Sequence, residues 1–452
     1  MRCQVQKIVR GTFLSVDQSC LHCLYNRKWM SQPLLGSTPA GNLQLSAAIL
    51  FSGSSFIQTN KVLNTMRVKT ISSATFHVHA RSYLQPTIFY KWKTDQEELL
   101  QSLRQKETVS FAGDMRADSP GHSAKYGCYS MMELDSNVIV DIQMVQSNEV
   151  GGSGRMEKEG LKRSLQFLEE SGLTVGCLVT DRHPQIQKYI RQEKPAVIHY
   201  YDVWHVAKSV SRKLEVIAKK CKKVKKWQRS ITNHMYWSAT TAASGKETVA
   251  KWSSLINHMH NIHTHEDPLF PKCVHPDLSE THGNKWFQPG NATVYKVEKA
   301  LLNKRILKDV EKLSPQHQTS ALEAFHSVIL RFAPKNVHFP FVGMLCRHYL
   351  AGMHFNENAD RSQAISSTGQ LAYMIKYPKS KKGQYSIQAL KTKPTYNYRD
   401  ALMTLLFLEV FQNPGLHTAK MSQMPVPENL NALYERPVKA DAIATYVSRF
   451  SQ

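Results

Sequence analysis

The stretch between residues 109 and 207 restricts the possible folds more than any other part of this chain, because strand and helix patterns alternate along it in a definite order. Five short apolar runs bounded by turn residues read as strands, at residues 109–114, 126–134, 138–145, 175–181 and 196–202. Helical spacing of apolar residues begins at Met156, and Pro184 opens a second helix. The predicted order is β-β-β-α-β-α-β-α, with three antiparallel strands followed by parallel strands added through right-handed crossovers.

This order predicts an α/β protein with an RNase H-like mixed sheet, interrupted by a large helical insertion. The predicted organisation is an irregular N-terminal region at 1–94, the first part of the core at 95–207, a helical His- and Trp-rich insertion at 208–313, the final core helices at 314–375 and a basic C-terminal helical tail at 376–452. Within the N-terminal region, residues 43–56 read as a strand, and Cys20-x-x-Cys23 could form half of a metal site.

The net charge indicates a polyanionic partner. The chain has 58 Lys and Arg against 35 Asp and Glu, which gives +23 at pH 7. Such a charge favours nucleic acid, although a basic surface without a partner would show the same composition. No apolar run reaches the roughly 18 residues that a membrane span needs. The eight cysteines are mostly scattered and predict a reduced, intracellular protein.

Two aspartates terminate apolar runs of the predicted sheet. Asp114 ends the first strand and Asp181 ends the fourth, so both lie where a buried carboxylate is costly unless it is paired or bound to metal. RNase H-like nucleases hold two divalent cations with carboxylates from different elements, and Mg²⁺ or Mn²⁺ prefers such oxygen ligands. The alternative is that each aspartate begins a turn or caps a helix. Asp118 is a rival for the first position.

A third acid is expected after the insertion. Glu323 lies in the first turn of the helix predicted over residues 316–331, beside its apolar stripe, although a glutamate there can also be a capping partner. Glu298 and Glu311 are weaker competitors. Asp202-x-x-His205 follows the fifth strand and could join two polar side chains at a helix start, or be a helix cap with a satisfied histidine.

Two further clusters point to zinc and to DNA. His258 and His263 have the spacing of a zinc-finger histidine pair, and Cys273 and His275 could complete a tetrahedral site; the alternative is a His-rich surface. A long basic helix is predicted from Trp204. Its lysines can follow phosphates without reading bases, act as a nuclear localisation run, or form a solvated face; they are Lys219, Lys220, Lys222, Lys223, Lys225 and Lys226.

Several long phrases resemble the catalytic domain of Kolobok-type DDE transposases, eukaryotic cut-and-paste enzymes of which several carry an N-terminal THAP zinc finger. The phrases are GDMRADSPGHSAKYG, TDRHPQI, DVWHVAKSV, TSALEAFHSVI and HFNENADR, and the resemblance extends from about residue 19 to about residue 402. It implies that Asp114, Asp181 and Glu323 are the three catalytic acids. It also implies that Asp202 and His205 match a C/D-x-x-H signature with a supporting role. No cysteine and histidine pattern of a THAP finger precedes the core in this sequence.

The resemblance implies a Mg²⁺- or Mn²⁺-dependent endonuclease and strand transferase in the nucleus. The implied partner is double-stranded DNA with transposon terminal inverted repeats, bound by a homo-oligomer. Two alternatives remain open. One is a domesticated, catalytically silent DNA- or chromatin-binding protein; the other is a different RNase H-like nuclease such as a resolvase, against which the long His- and Trp-rich insertion argues.

Overall fold

The computed structural model describes residues 3–23, 25–118, 124–276, 286–288, 290–315, 319–379, 383–430 and 436–447. Its N-terminal part is an antiparallel sheet followed by helices. The strands are β1 (Cys3–Arg10), β2 (Phe13–Cys20), β3 (Asn26–Met30), β4 (Leu34–Leu35) and β5 (Thr38–Pro39). The helices are α1 (Ala40–Phe51), α2 (Phe56–Thr65), α3 (Ser73–His79) and α4 (Gln85–Leu103).

This part differs from the sequence prediction in two ways. It is not irregular, because β1, β2 and β3 form a regular ladder in which Cys3 lies opposite Cys20. Residues of β1 and β3 are exposed, so no alternation of apolar and polar residues marks these strands in the sequence. The strand predicted at residues 43–56 is wrong, since α1 occupies most of that stretch. Because α1 is buried on several sides, it lacks the apolar stripe that identifies a helix.

The central element is a five-stranded mixed sheet of β6 (Val109–Ala117), β7 (Tyr126–Glu133), β8 (Val138–Gln146), β9 (Val175–Thr180) and β10 (Ile198–Tyr201). The spatial order is β10-β9-β6-β7-β8. Strands β6, β7 and β8 pair antiparallel, whereas β9 and β10 add parallel to β6. Helix α5 (Met156–Glu170) leads into β9, and α6 (Pro184–Glu193) leads into β10. The predicted element order is therefore confirmed, although β6 continues three residues past Asp114, which lies inside the strand rather than at its end.

After β10 the chain forms a group of helices and then returns to the sheet. These helices are α7 (Val203–Ala218), α8 (Lys222–Thr241), α9 (Gly245–Met259), α10 (Ala292–Leu301) and α11 (Lys304–Glu311). They share an apolar core that includes Trp227 and Trp252. The predicted long basic helix is wrong, because α7 ends at Ala218 and α8 begins at Lys222. The return is marked by Leu313, which forms a parallel bridge with Tyr201 at the end of β10.

The remaining elements cover the sheet and extend past it. They are α12 (Ser320–Phe332), α13 (Phe341–Glu357), β11 (Tyr373–Lys376), β12 (Ser386–Ala389), α14 (Asn397–Leu405), α15 (Pro414–Ser422) and α16 (Lys439–Ala444). Helices α4, α12 and α13 pack on one face of the sheet, and α5 and α6 pack on the other. The C-terminal part is not wholly helical as predicted, because β11 and β12 form a hairpin. Among the described residues, no helix has the length and apolarity of a membrane span.

Candidate active site

Two aspartates lie side by side on neighbouring parallel strands. Strands β6 and β9 pair Gly113 with Thr180. The residues that follow these two are Asp114, which is still in β6, and Asp181, which comes directly after β9. Burial, together with the negative charges of Asp181 and Glu157, raises the pKa of Asp114 to about 8. A shift of this direction and size is typical of carboxylates that share one site. The two aspartates expected from the strand pattern therefore come together.

Glu157 is a third member of this group, and the sequence reasoning missed it. Its side chain, in the first turn of α5, is 23% exposed and lies 4.0 Å from Nε2 of His183. Burial and the charge of Asp181 raise the pKa of Glu157 to about 7. In the sequence, a glutamate at a helix start reads as an ordinary partner of the helix dipole. Only the packing of α5 over the sheet places this carboxylate beside Asp181.

His205 connects Asp181 with Glu323. Its Nδ1 lies 2.9 Å from Oδ2 of Asp181, and its Nε2 lies 3.9 Å from Oε1 of Glu323. Burial lowers the pKa of His205, but the hydrogen bond and the charge of Asp181 outweigh burial, so the net shift is upward. The imidazole therefore lies between two carboxylates, and the charge of Asp181 favours its protonated form. This contact brings Glu323, far away in sequence, to the aspartate pair.

Asp202 belongs to the same site and also caps α7. Its Oδ1 accepts a hydrogen bond from the backbone N–H of Trp204 at 3.4 Å, as the capping alternative predicted. Its Oδ2 is buried and has no hydrogen-bond partner among the described residues. One ligand atom each from Asp202, His205 and Glu323 lie within 4.8 Å of one another. The cap therefore fixes one oxygen of Asp202 and leaves the other facing the acidic cluster.

His326 is a second residue that sequence reasoning missed. It lies one turn after Glu323 on α12, and its Nδ1 is 3.4 Å from Oδ2 of Asp114. Burial, followed by the charge of Arg116, lowers the pKa of His326 to about 3, so this ring is neutral. Helix α12 therefore supplies Glu323 toward His205 and His326 toward Asp114. The three-residue spacing on one helix face was visible in the sequence, but its target was not.

A buried tyrosine forms the floor of the cluster. A Cβ atom on Gly113 would lie 2.1 Å from the hydroxyl of Tyr129, so only glycine leaves room for the phenol at this position of β6. The hydroxyl is buried and has no hydrogen-bond partner among the described residues. Burial and the charges of Glu157, Asp114 and Asp181 raise the pKa of Tyr129 far above its usual range. The phenol therefore stays protonated and faces the carboxylates.

The donor set fits a hard divalent cation. Burial comes first among the causes that raise the pKa of Asp114, Glu157 and Glu323, and neighbouring carboxylates follow. Mutual repulsion of this kind is relieved by a cation bound between the oxygens, which are the ligands that Mg²⁺ and Mn²⁺ prefer. The buried, unpartnered oxygen of Asp202 adds a further available donor. Among the described residues, the acidic group whose ligand atoms all lie within 4.8 Å of one another is Asp202, His205 and Glu323, and its carboxylate oxygens are of the kind that magnesium or manganese takes.

The rival acids lie elsewhere. Asp118 follows the end of β6 and interacts with Arg116 and Lys335, which are positively charged neighbours. Glu298 lies on α10 and Glu311 at the end of α11, both in the helical group after β10. Among the described acids, Asp114 and Glu323 are thus better placed than these competitors for a shared site with Asp181.

The basic run spans the end of α7 and the start of α8. Its exposed members are Lys219, Lys220, Lys222, Lys225 and Lys226. Lys223 differs, because its Nζ donates to the backbone carbonyl of Trp286 and lies 5.2 Å from the ring centroid of Phe287. Lys223 is therefore engaged within the protein rather than presented to a ligand. Lys219 lies 14 residues after His205, which is about 21 Å along α7 at 1.5 Å per residue, whereas the exposed Lys208 of the same helix lies within one turn of His205.

The four residues proposed for zinc also come together. One ligand atom from each lies within 4.8 Å of the others, in a cluster of His258, His263, Cys273 and His275. Two further histidines belong to the same stretch of sequence: Nδ1 of His260 donates to the carbonyl of Phe287 at 3.0 Å, and His282 lies outside the described residues. All described cysteines, including Cys20 and Cys23, are free thiols.

The fold and the site define an α/β protein whose mixed sheet carries an acidic cluster toward the carboxyl ends of two adjacent parallel strands. No family model matches the chain, and no curated protein matches it. Seven chains of solved structures match, and one of them is from the Drosophila P element transposase strand transfer complex. That match has 11% sequence identity and a TM-score of 0.32, and it covers 69% of this chain and 91% of the other. A similarity this distant assigns no activity to the present chain.

Proposed function

We propose that this chain is a DDE-type DNA transposase core with an RNase H-like fold, which hydrolyses phosphodiester bonds and transfers DNA strands. The observation that carries the proposal is the adjacency of Asp114 and Asp181, with His205 in contact with both Asp181 and Glu323. The sheet order, with three antiparallel strands and two parallel additions, supports the RNase H-like class. The sequence segments that resemble Kolobok-type transposases support the assignment as a DDE-type transposase.

The residues proposed to hold Mg²⁺ or Mn²⁺ are Asp114, Asp181 and Glu323, and Glu157 joins them on the geometry of α5. A pair of divalent ions in such nucleases activates the attacking oxygen and stabilises the leaving oxygen. Nδ1 of His205 holds the carboxylate of Asp181 at 2.9 Å, and the protonated ring would offset part of the negative charge. His326, neutral, contacts the carboxylate of Asp114 and orients it.

Double-stranded DNA is the proposed substrate, in the form of transposon terminal inverted repeats. Four exposed lysines lie within one turn of the break between α7 and α8 and can contact phosphates without reading bases; they are Lys219, Lys220, Lys222 and Lys225. Lys226 extends this surface along α8. The same basic run suits a nuclear localisation signal, and a homo-oligomer would bind the two ends of an element. Both of these remain proposals.

A second candidate is a catalytically silent DNA- or chromatin-binding protein descended from such an enzyme. The observation that favours it is the net charge of +23, which supports DNA binding whether or not the acidic cluster is active. A different RNase H-like nuclease is a third candidate. The helical group from α7 to α11 separates the chain from compact nucleases of that class.

DNA cleavage separates these candidates. The purified chain is incubated with Mg²⁺ or Mn²⁺ and duplex DNA that carries the terminal inverted repeats flanking its own gene, beside a duplex of scrambled sequence. A transposase cuts at the repeat end, and Asp181→Ala abolishes the cut, whereas Asp118→Asn retains it. Binding without any cleavage by the parent chain would support the silent DNA-binding protein. Cleavage of both duplexes alike would support a general nuclease.

A further inference from the structure

The separation of ligand atoms in the histidine and cysteine cluster suits a tetrahedral metal. In a tetrahedral site with three histidines and one cysteine, Zn–N bonds of 2.0–2.1 Å and Zn–S bonds of 2.3 Å place the ligand atoms about 3.3–3.6 Å apart. Here Sγ of Cys273 lies 3.8 Å from Nδ1 of His258, and all four ligand atoms fall within 4.8 Å of one another. The ring centroids of His263 and His275 are 4.8 Å apart. One ion can therefore contact all four side chains with small adjustments.

The loop that carries three of these ligands is folded so that they face each other. The backbone N–H of Cys273 donates to the carbonyl of His263 at 2.9 Å, and Thr264 forms an antiparallel bridge with Lys272. This short hairpin places His263 directly across from Cys273. The fourth ligand, His258, lies near the end of α9. The backbone alone thus brings distant ligands to one point.

Two of the rings have their second nitrogen bound to an oxygen. Nδ1 of His275 lies 2.7 Å from the carbonyl of Pro276, and Nε2 of His263 lies 3.0 Å from Oδ1 of Asn261. Metal-binding histidines regularly donate their other N–H in this way, which fixes the tautomer and the ring orientation. The remaining nitrogen of His275, Nε2, is buried and has no hydrogen-bond partner among the described residues. That atom is available to a ligand inside the cluster.

The cluster also supports the basic start of α8. The ring of His258 lies 5.4 Å from that of Trp286 and 5.9 Å from that of Trp227, which belongs to α8. Lys223 of α8 donates to the carbonyl of Trp286. The histidine cluster, residues 286–287 and the first turns of α8 therefore pack as one unit. Loss of the cluster would loosen the helix that presents Lys222, Lys225 and Lys226.

We propose that His258, His263, Cys273 and His275 bind one structural zinc ion, and that this ion holds the basic start of α8 in position for DNA. The first half of this proposal is independent of the acidic cluster. The second half rests on the proposed function, because it requires that the lysines contact DNA. Zinc has no redox chemistry and favours mixed nitrogen and sulfur ligands, which matches three histidines and one cysteine.

Metal analysis of the full chain tests the first half. The purified protein is expected to contain one zinc per chain, and Cys273→Ala and His263→Ala are expected to lose it. His260→Ala is the matched control, because Nδ1 of His260 donates to the carbonyl of Phe287 and His260 lies outside the cluster of four. Replacement of the metal by Co²⁺ in the parent chain gives a second readout that needs no folded variant. It should show tetrahedral absorption with a thiolate band. Zinc below stoichiometry in the parent, or retention in both variants, overturns the site.

DNA binding at several salt concentrations tests the second half. A duplex of unrelated sequence is titrated with the parent chain and with Cys273→Ala. Because each lost phosphate contact lowers the slope of log affinity against log salt by about 0.9, disorder of three lysines should reduce that slope by about 2–3. An unchanged slope after zinc loss overturns the link to DNA while leaving the zinc site intact. Failure of the chain to cut repeat-end DNA would instead count against the proposed function and leave both metal results unaffected.

Discussion

Replacement of Asp114 by Asn should stabilise the metal-free protein at neutral pH, although Asp114 is a proposed metal ligand. Oδ1 of Asp114 accepts a hydrogen bond from the backbone N–H of Met115 at 2.7 Å, and an Asn carbonyl can keep this bond. The substitution removes one negative charge from the group that includes Asp181 and Glu157. Without a cation, that charge is repelled by its neighbours and poorly solvated. Asp114→Asn removes this repulsion, and the folded state is stabilised as a result.

The size of this stabilisation and its dependence on pH follow from the raised pKa of Asp114. The pKa of Asp114 moves from the usual 3.8 to about 8, mainly because of burial and then because of Asp181. At about 1.4 kcal/mol per pKa unit, an isolated group with this shift costs about 4 kcal/mol at pH 7. Since three carboxylates share the repulsion, one substitution should recover roughly half, about 2 kcal/mol. The folded state binds the proton more tightly than the unfolded state, so the cost rises with pH between about 4 and about 8.

Thermal unfolding with chelator present measures this effect. Asp114→Asn should melt about 2 °C above the parent at pH 7, and the advantage should shrink to less than half at pH 5. Saturating Mn²⁺ should reverse the order, because only the parent keeps the full ligand set. Asp118→Asn is the control and should follow the parent at both pH values. A variant that is no more stable than the parent at pH 7, or whose advantage persists undiminished at pH 5, would refute the assignment of a shared acidic site.

Three further outcomes are expected. Glu157→Gln should slow Mn²⁺-dependent DNA cleavage about 10- to 100-fold and raise the Mn²⁺ concentration needed for half-maximal rate; unchanged kinetics would remove Glu157 from the site. Gly113→Ala should destabilise the fold by about 1–3 kcal/mol in denaturant titrations, because its Cβ would meet the hydroxyl of Tyr129, and Tyr129→Phe should recover part of that loss. If Gly113→Ala alone lost less stability than Gly113→Ala combined with Tyr129→Phe, this contact would be contradicted. Lys225→Gln should lower the salt slope of DNA binding by about 0.9, whereas Lys223→Gln should lower the melting temperature instead.

The aspartate pair was predictable because of a simple geometric rule. Adjacent parallel strands place equivalent residues at the same edge of a sheet, so Asp114 and Asp181 had to be neighbours once β6 and β9 were recognised. The position of Glu323 was predictable only in part. Its place in the first turn of α12 could be read from the sequence, but its approach to His205 depends on how α12 packs on the sheet.

Other features left no local signal in the sequence. Glu157 looks like any glutamate at a helix start, and its role depends on the angle at which α5 crosses the sheet. The outer strands of the first sheet are exposed and show no alternation, so the sequence does not reveal them. Helix α1 is buried on several sides, so its sequence resembles that of a strand. The break between α7 and α8 lies within a run of lysines, where no Gly or Pro marks it. Long-range packing, rather than the local sequence pattern, determines each of these structural features.

Binding of Mn²⁺ to the acidic cluster tests the central claim most directly. Electron paramagnetic resonance of free Mn²⁺ gives the number of ions bound per chain, with Asp181→Asn as the variant and Asp118→Asn as the matched control. We expect the parent and the control to bind Mn²⁺ that Mg²⁺ displaces, and Asp181→Asn to lose that binding. Equal binding by all three proteins, or no displaceable Mn²⁺ in the parent, would contradict it.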